Sequence, residues 1–253
     1  MIIKIIYMLV FALFLISFAQ ILTLGSYLFK SNNKMADLSK NIMCSIIPSI
    51  YKNGFNSSIY YSGNYIKTNK IDIIISNHIS SIDFMILVSL IRQHDDRNLY
   101  FLIKKNLVFT PGLGFIALSA LDIKLNRKIE DDTDNIIKSL KKIEKGIIVI
   151  LPEGTRYDPK KYNDSCSYSK TNNLTVYQNT LYPKMKGLYK ICEILTNENK
   201  MGNIIDMSIM IENLKNKKAH ISQILSTNLG NTFGIINTYA SPEQFNLSSY
   251  DNF

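Results

Sequence analysis

The chain opens with an apolar run from Ile5 to Phe29, with Lys4 the single charge among its first 29 residues. Such a run is long enough to cross a hydrocarbon core of about 30 Å as a helix, or to lie deep in one leaflet. Lys30, Lys34 and Lys40 follow it, and positive charge just past an apolar span marks the cytoplasmic side. A cleaved leader is the rival reading, with small residues at Ser17 and Ala19. The run continues well past that point and no dense basic segment precedes it, so residues 1–30 are expected to be a retained membrane anchor. After a polar break at 31–34, residues 35–51 place Met35, Leu38, Ile42, Met43, Ile46 and Ile47 on one helical face. That face suits either core packing or an amphipathic helix resting on the bilayer.

Beyond a turn-rich connection, "NGFNSSIYYSGNY", short apolar runs alternate with helical patterns. Strands are expected at 71–75 ("IDIII"), 99–103 ("LYFLI"), "LDIKL" and 147–151 ("IIVIL"), and near the end at "NIIDMSIMI". Helices are expected at 84–93, from Pro111 in "PGLGFIALSA", at 130–145 and at "GLYKICEIL". The 130–145 segment carries acids in its first turn and lysines later, with Asp131 and Asp132 as capping residues and Gly146 as the C-cap. Alternation of this kind predicts a single α/β domain over 35–253, built on a mixed, mostly parallel sheet flanked by helices. No internal repeat or dividing linker interrupts it.

The length, 253 residues, suffices for one sizeable core. The net charge of +9 suits an anionic partner: nucleic acid, a lipid head group or a phosphorylated small molecule. No interleaving of aromatic and basic residues supports nucleic acid. Three widely spaced cysteines, Cys44, Cys166 and Cys192, define neither a disulfide framework nor a zinc site, and a reducing compartment is the simpler reading.

Ligands of open α/β sheets gather beyond the carboxyl ends of the strands. Three polar clusters fall at such ends: His78 after 71–75, Arg127 after "LDIKL", and "PEGTR" after 147–151. Asp83 stands five residues beyond His78, where a short loop folds its carboxylate onto the imidazole, setting the tautomer and leaving one ring nitrogen as a base. A plain helix N-cap is the other reading of Asp83. Ser80 and Ser81 lack the Gly-x-Ser-x-Gly elbow of serine hydrolases. No Gly-rich phosphate loop and no metal-ligand spacing occurs, and His94 and His220 are read as exposed polar residues.

Taken in order, "NHISSID", "LNRK", "LPEGTR" and "LYPKMKG" resemble the motifs of the glycerolipid acyltransferases, the 1-acylglycerol-3-phosphate acyltransferase family. Asn77, His78 and Asp83 match the first motif, Arg127 the end of the second, Glu153 to Arg156 the third, and the region of Pro183 the fourth. "FLIKKNLVFTPGLGF" is similar to the family's intervening segment, although "DIKLN" lacks the larger apolar residue usual near the second-motif Arg. "RKIEDD", "SKTNNL" and "YPKMKG" are most similar to the eukaryotic lysophospholipid branch, which includes lysocardiolipin acyltransferases.

The resemblance implies transfer of a fatty acyl group from acyl-CoA, a co-substrate and not a bound cofactor, to the hydroxyl of a lysophospholipid. The first expectation for the acceptor is 1-acylglycerol-3-phosphate, giving phosphatidic acid. It implies His78 as general base oriented by Asp83, and oxyanion donors among the backbone amides around Glu153, Gly154 and Thr155. Arg127 and Arg156 would grip the acceptor phosphate, with point charge from Lys104 or Lys105. Glu153 would orient Arg156 or bind acceptor hydroxyls, Asn77 would support the His78 loop, and Lys184 and Lys186 would contact phosphate or CoA. No metal is expected. The bilayer is the expected partner, with the catalytic domain on the cytoplasmic side of an endoplasmic-reticulum-like membrane in a eukaryote. Two alternatives stand beside this: remodelling of another lysophospholipid such as lysocardiolipin or lysophosphatidylinositol, and a non-catalytic, membrane-anchored protein that binds anionic lipid.

Overall fold

The structure is a computed structural model that describes residues 10, 14, 34–104, 123–125, 129–212 and 230–240. Among these no helix is long and apolar enough to cross a membrane. Apart from Val10 and Phe14 the apolar run at 5–29 lies outside the described residues, as do the helix expected from Pro111 and His220.

Seven strands form one sheet: β1 (Ile59–Gly63), β2 (Ile71–Ser76), β3 (Leu99–Lys104), β4 (Ile123–Leu125), β5 (Gly146–Ile150), β6 (Met201–Ile211) and β7 (Thr232–Tyr239). Their spatial order is β1-β7-β6-β2-β5-β3-β4. β6, β2, β5, β3 and β4 run parallel, while β7 is antiparallel to β6 and carries β1 parallel to itself. The expected mixed, mostly parallel sheet is the one observed. β2 and β5 are buried along their whole length, as apolar runs between two covered faces must be.

Among the described residues five helices accompany the sheet: α1 (Lys34–Phe55), α2 (Asp83–Ile91), α3 (Ile129–Leu140), α4 (Pro159–Thr171) and α5 (Lys186–Asn197). Cys44, Ile47, Tyr51 and Phe55 of α1 recur at helical spacing and join Ile86, Leu87, Leu90 and Ile91 of α2 in one core with Ile74, Ile205 and Ile236. From Cys44 onward this face of α1 therefore serves core packing. The second core places Ile136 and Leu140 of α3 and Leu188, Ile191 and Leu195 of α5 over Ile71, Ile73, Ile148 and Ile204.

Several expectations need correction. The helix expected at 130–145 ends at Leu140, and Gly146 is not its cap. Gly146 opens β5 with φ +143°, and a Cβ there would lie 2.7 Å from the Asn98 carbonyl, so only glycine fits the approach to β3. β1 was expected as turn-rich coil, and α4 was not expected. α4 buries only Ser169 and so lacks an apolar stripe, although Asp158 capping the Lys160 amide at 2.9 Å, with Pro159 next, is an ordinary helix start. His94 is not an exposed polar residue. Its ring stacks on Tyr65 at 5.1 Å and meets Tyr61 edge-on at 4.7 Å, and burial lowers its pKa.

Asp72 sits inside the apolar β2 with 0 % exposure, a placement tolerable only if every carboxylate lone pair is used. It accepts from the Thr68 amide (2.9 Å), the Thr68 hydroxyl (2.7 Å), the Asn203 amide (2.7 Å) and Arg97 Nη2 (2.5 Å). Arg97 also binds Asp95 through Nε and Nη2 and donates to the carbonyls of Thr68 and Lys70. Burial would raise the pKa of Asp95, but its hydrogen bonds to Arg97, the guanidinium charge and the Tyr65 hydroxyl outweigh that and hold it below the ordinary value. This network ties the β2, β3 and β6 starts together, at the sheet end opposite His78.

Removing the shared cation strands two buried carboxylates. Arg97→Leu is expected to cost about 3 kcal/mol in urea unfolding. Because the Asp95 pKa is depressed in the folded state, its contribution is present above the usual carboxylate range and is lost as pH falls through the folded value. The stability gap between parent and Arg97→Leu should therefore narrow on acidification, and a gap independent of pH would contradict this account.

Candidate active site

Register places the site. Ile75 of β2 lies opposite Ile150 of β5, so the two chains leave the sheet side by side. His78 and Glu153 each stand three residues past that pair, and Glu153 Oε1 accepts the His78 amide at 2.9 Å. Glu153 Oε2 accepts the Leu181 amide at 3.1 Å. Glu153 is 4 % exposed, and this burial, only partly offset by the two amides, pushes its pKa up. Among the described residues it makes no ion pair with Arg156. The expectation that it orients Arg156 or binds acceptor hydroxyls is corrected: its oxygens are committed to the backbone of two loops.

The His78 loop closes on Asp83, which is 1 % exposed. Asp83 Oδ2 accepts from His78 Nδ1 at 2.8 Å and from the Ile79 amide at 2.7 Å. Both oxygens lie 2.9 Å from the Ser80 amide, and Oδ1 takes the Ser80 hydroxyl at 2.5 Å. The N-cap position of α2 is Ile82, without a side-chain cap, and Asp83 is the first helical residue. Its carboxylate turns back onto the preceding loop, which corrects the plain N-cap reading. An acceptor at Nδ1 holds the proton there and leaves the lone pair on Nε2. His78 keeps 22 % side-chain exposure, so it is neither sealed in the core nor loose on the surface.

Neighbouring segments are stitched to this loop. Asn77 exchanges two hydrogen bonds with Ile209 of β6, donating to its carbonyl at 2.9 Å and accepting from its amide at 2.8 Å. The Tyr157 amide donates to the His78 carbonyl at 2.8 Å, and the Lys184 amide to the Pro152 carbonyl at 2.8 Å. The Gly154 amide closes the turn onto the Leu151 carbonyl at 2.9 Å, with φ +65°. That corrects its assignment as an oxyanion donor; what glycine supplies is the left-handed turn.

Arg156 Nη1 donates to the Ser81 hydroxyl, which brings the guanidinium across to the His78 loop. Lys161 Nζ donates to Thr155 Oγ1, a contact that no sequence signal announced. His78, Asp83, Glu153, Gly154, Thr155 and Arg156 are thus gathered at one end of the sheet. Arg127 and Lys105 lie outside the described residues, and Lys104 is described as the last residue of β3 in its backbone only. Among the described residues no group of side chains is arranged to hold a metal ion.

The Acyltransferase family model matches residues 58–200, more than half of the chain and a span that contains all four motifs. Lysocardiolipin acyltransferase 1 of Gallus gallus is 26% identical over 173 residues, covering 66% of this chain and 46% of that protein. The 1-acyl-sn-glycerol-3-phosphate acyltransferase delta of Rattus norvegicus is 32% identical over 131 residues, 50% of this chain and 34% of the relative. The chain spans less than half the length of these curated relatives. Its fold is similar to that in the crystal structure of the 1-acyl-sn-glycerophosphate (LPA) acyltransferase PlsC from Thermotoga maritima, with TM-score 0.57 and 14% identity, covering 98% of this chain and 92% of that one.

Removing the Glu153 carboxylate leaves two backbone donors without acceptors, so Glu153→Ala should lose about 2 kcal/mol of stability by urea unfolding. Glu153→Gln gives a second test. A raised carboxylate pKa means that the parent is favoured at low pH and loses stability as pH rises through the folded value. The stability of Glu153→Gln relative to the parent should therefore improve with rising pH, and the opposite trend would refute the buried-carboxylate account.

Proposed function

Because the chain belongs to the Acyltransferase family, we propose that it moves a fatty acyl group from acyl-CoA to the free hydroxyl of a lysophospholipid, with 1-acylglycerol-3-phosphate as first acceptor. The observation that carries the reading is the 2.8 Å contact from His78 Nδ1 to a buried carboxylate, made beside an Arg156 guanidinium.

An alcohol is a weak nucleophile at neutral pH, so a base must take its proton as it attacks. His78 Nε2 accepts that proton while the acceptor oxygen bonds to the thioester carbonyl carbon. Asp83 holds the ring in the required tautomer and stabilises the imidazolium. The tetrahedral intermediate collapses by breaking the carbon–sulfur bond, and His78 returns the proton to the departing CoA thiolate. The products are the phospholipid ester and free CoA, and no covalent acyl-enzyme forms. This is the logic of the serine hydrolases with the substrate's own hydroxyl in place of the serine. Ser80 and Ser81 support the arrangement through Asp83 and Arg156 and are not nucleophiles.

Arg156 binds the acceptor phosphate through donors beyond the one given to Ser81, since a guanidinium presents five. Arg127 is proposed as its companion from the motif match, with Lys104 and Lys105 adding charge. Residues 1–30 are proposed as the anchor that keeps this site at the bilayer, on the cytoplasmic side. There neither fatty chain is drawn fully through water, at about 0.8 kcal/mol per buried CH₂. A second acceptor class is favoured by the lysocardiolipin acyltransferase among the relatives, and the same chemistry serves it.

Purified full-length protein, given one acyl-CoA and a panel of lysophospholipids, should yield the diacyl product of at least one acceptor by mass. His78→Ala should lower that rate about 10³-fold. Asp83→Asn, which acts through His78, should cost about 10²-fold, less than loss of the base itself. Release of CoA by His78→Ala at the parent rate would refute the base assignment.

A further inference from the structure

α4 follows directly on the Glu153–Arg156 turn yet contributes almost nothing to the core: Ser169 is its one buried residue. It nevertheless belongs to an unusual concentration of tyrosines. Tyr157 and Tyr162 have ring centroids 5.5 Å apart. Tyr168 lies 5.9 Å from Tyr182, and Tyr177 lies 6.1 Å from the same ring, both tilted. Tyr168 is 49% exposed, so its ring is not there to anchor the helix.

Both ends of this cluster are tied to the site. The Tyr157 amide is bonded to the His78 carbonyl, and the Tyr182 amide is bonded to Ser165 Oγ of α4 at 2.7 Å. Tyr182 follows Leu181, whose amide is held by Glu153. Two cations flank the Glu153–Arg156 turn. Lys161 reaches Thr155, and a Cβ added at Gly154 would meet the Lys184 side chain at 3.7 Å, which places that stem over the turn. Among the described residues neither ammonium is in an ion pair. Lys161 and Tyr168 are seven residues apart on α4, about 10 Å along the helix axis. That span is commensurate with a nucleotide.

With acyl-CoA as donor, as proposed above, we infer that Tyr168, Tyr177 and Tyr182 stack the adenine of the donor while Lys161 and Lys184 take its phosphates. Planar bases stack on aromatic rings without need of matched hydrogen-bond donors, and ammonium groups on flexible stems follow a diphosphate. The chain would thereby favour a soluble nucleotide thioester over one carried on bare phosphopantetheine.

The test uses the full chain in two measurements. Calorimetric titration with adenosine 3′,5′-bisphosphate, which carries no thioester, should show saturable one-to-one binding that weakens about tenfold in Tyr168→Leu/Tyr177→Leu and is retained in Tyr168→Phe. In turnover, the same double variant should raise KM for acyl-CoA about tenfold while KM for acyl-phosphopantetheine moves less than twofold. Equal shifts for both donors, or unaltered bisphosphate affinity in the double variant, would overturn the subsite. So would absence of bisphosphate binding to a parent that turns over acyl-CoA. If neither donor is turned over, the proposed reaction fails, and the calorimetric comparison alone still decides the subsite.

Discussion

A single buried carboxylate organises the His78 end of this molecule. Asp83 has been taken out of water, and four donors from residues 78–80, making five contacts, render that tolerable: two amides, one of them shared between both oxygens, one hydroxyl and one imidazole nitrogen. The same bonds that satisfy the charge impose the loop's shape and set the imidazole tautomer. If His78 swung away the buried charge would lose one of its donors, so desolvation favours this aim of the ring. A second carboxylate, Glu153, fixes the loop from the side of β5 and strings the Leu181 segment to it.

The sheet distributes its buried charge unevenly between its two ends. At the starts of β2 and β6, Asp72 and Asp95 share the Arg97 guanidinium in a closed network, which is the arrangement expected where charge serves structure. At the opposite end Asp83 and Glu153 face backbone amides and one histidine, and the guanidinium and ammonium groups nearby stay exposed. Arg156, Lys161 and Lys184 are thereby exposed at the end where the proposed reaction would bring an anionic lipid or a polyphosphate.

Much of this was legible along the chain because the informative interactions are local. The loop from His78 to Asp83 spans six positions, and strand ends flanked by polar clusters are a general address for ligands in α/β sheets. The strands at 71–76 and 146–150 showed as apolar runs because both their faces are covered. α4 was invisible to periodicity because it has no apolar face to repeat. β1 was hidden in a segment rich in Tyr, Ser, Gly and Asn, where pairing with β7, and not its own composition, makes it a strand. Gly146 was read as a cap because a glycine after a helical pattern commonly is one, whereas here it answers to the Asn98 carbonyl of a neighbouring chain segment.

By itself the sequence determined which residues are candidates for the chemistry and in what order they come: a histidine and an aspartate at helix-entry spacing, a Glu-Gly-Thr-Arg turn after an apolar strand, and an alternation that yields an α/β sheet. Only the tertiary structure decided what each partner does. Glu153 and Arg156 are three residues apart and look like a pair, yet the register of β2 against β5 gives the glutamate to the His78 amide and sends the arginine to Ser81. Spacing specifies which side chains share a turn. It cannot specify which backbone donors from other strands will be buried beside them, and those donors, once desolvated, claim the acceptors first.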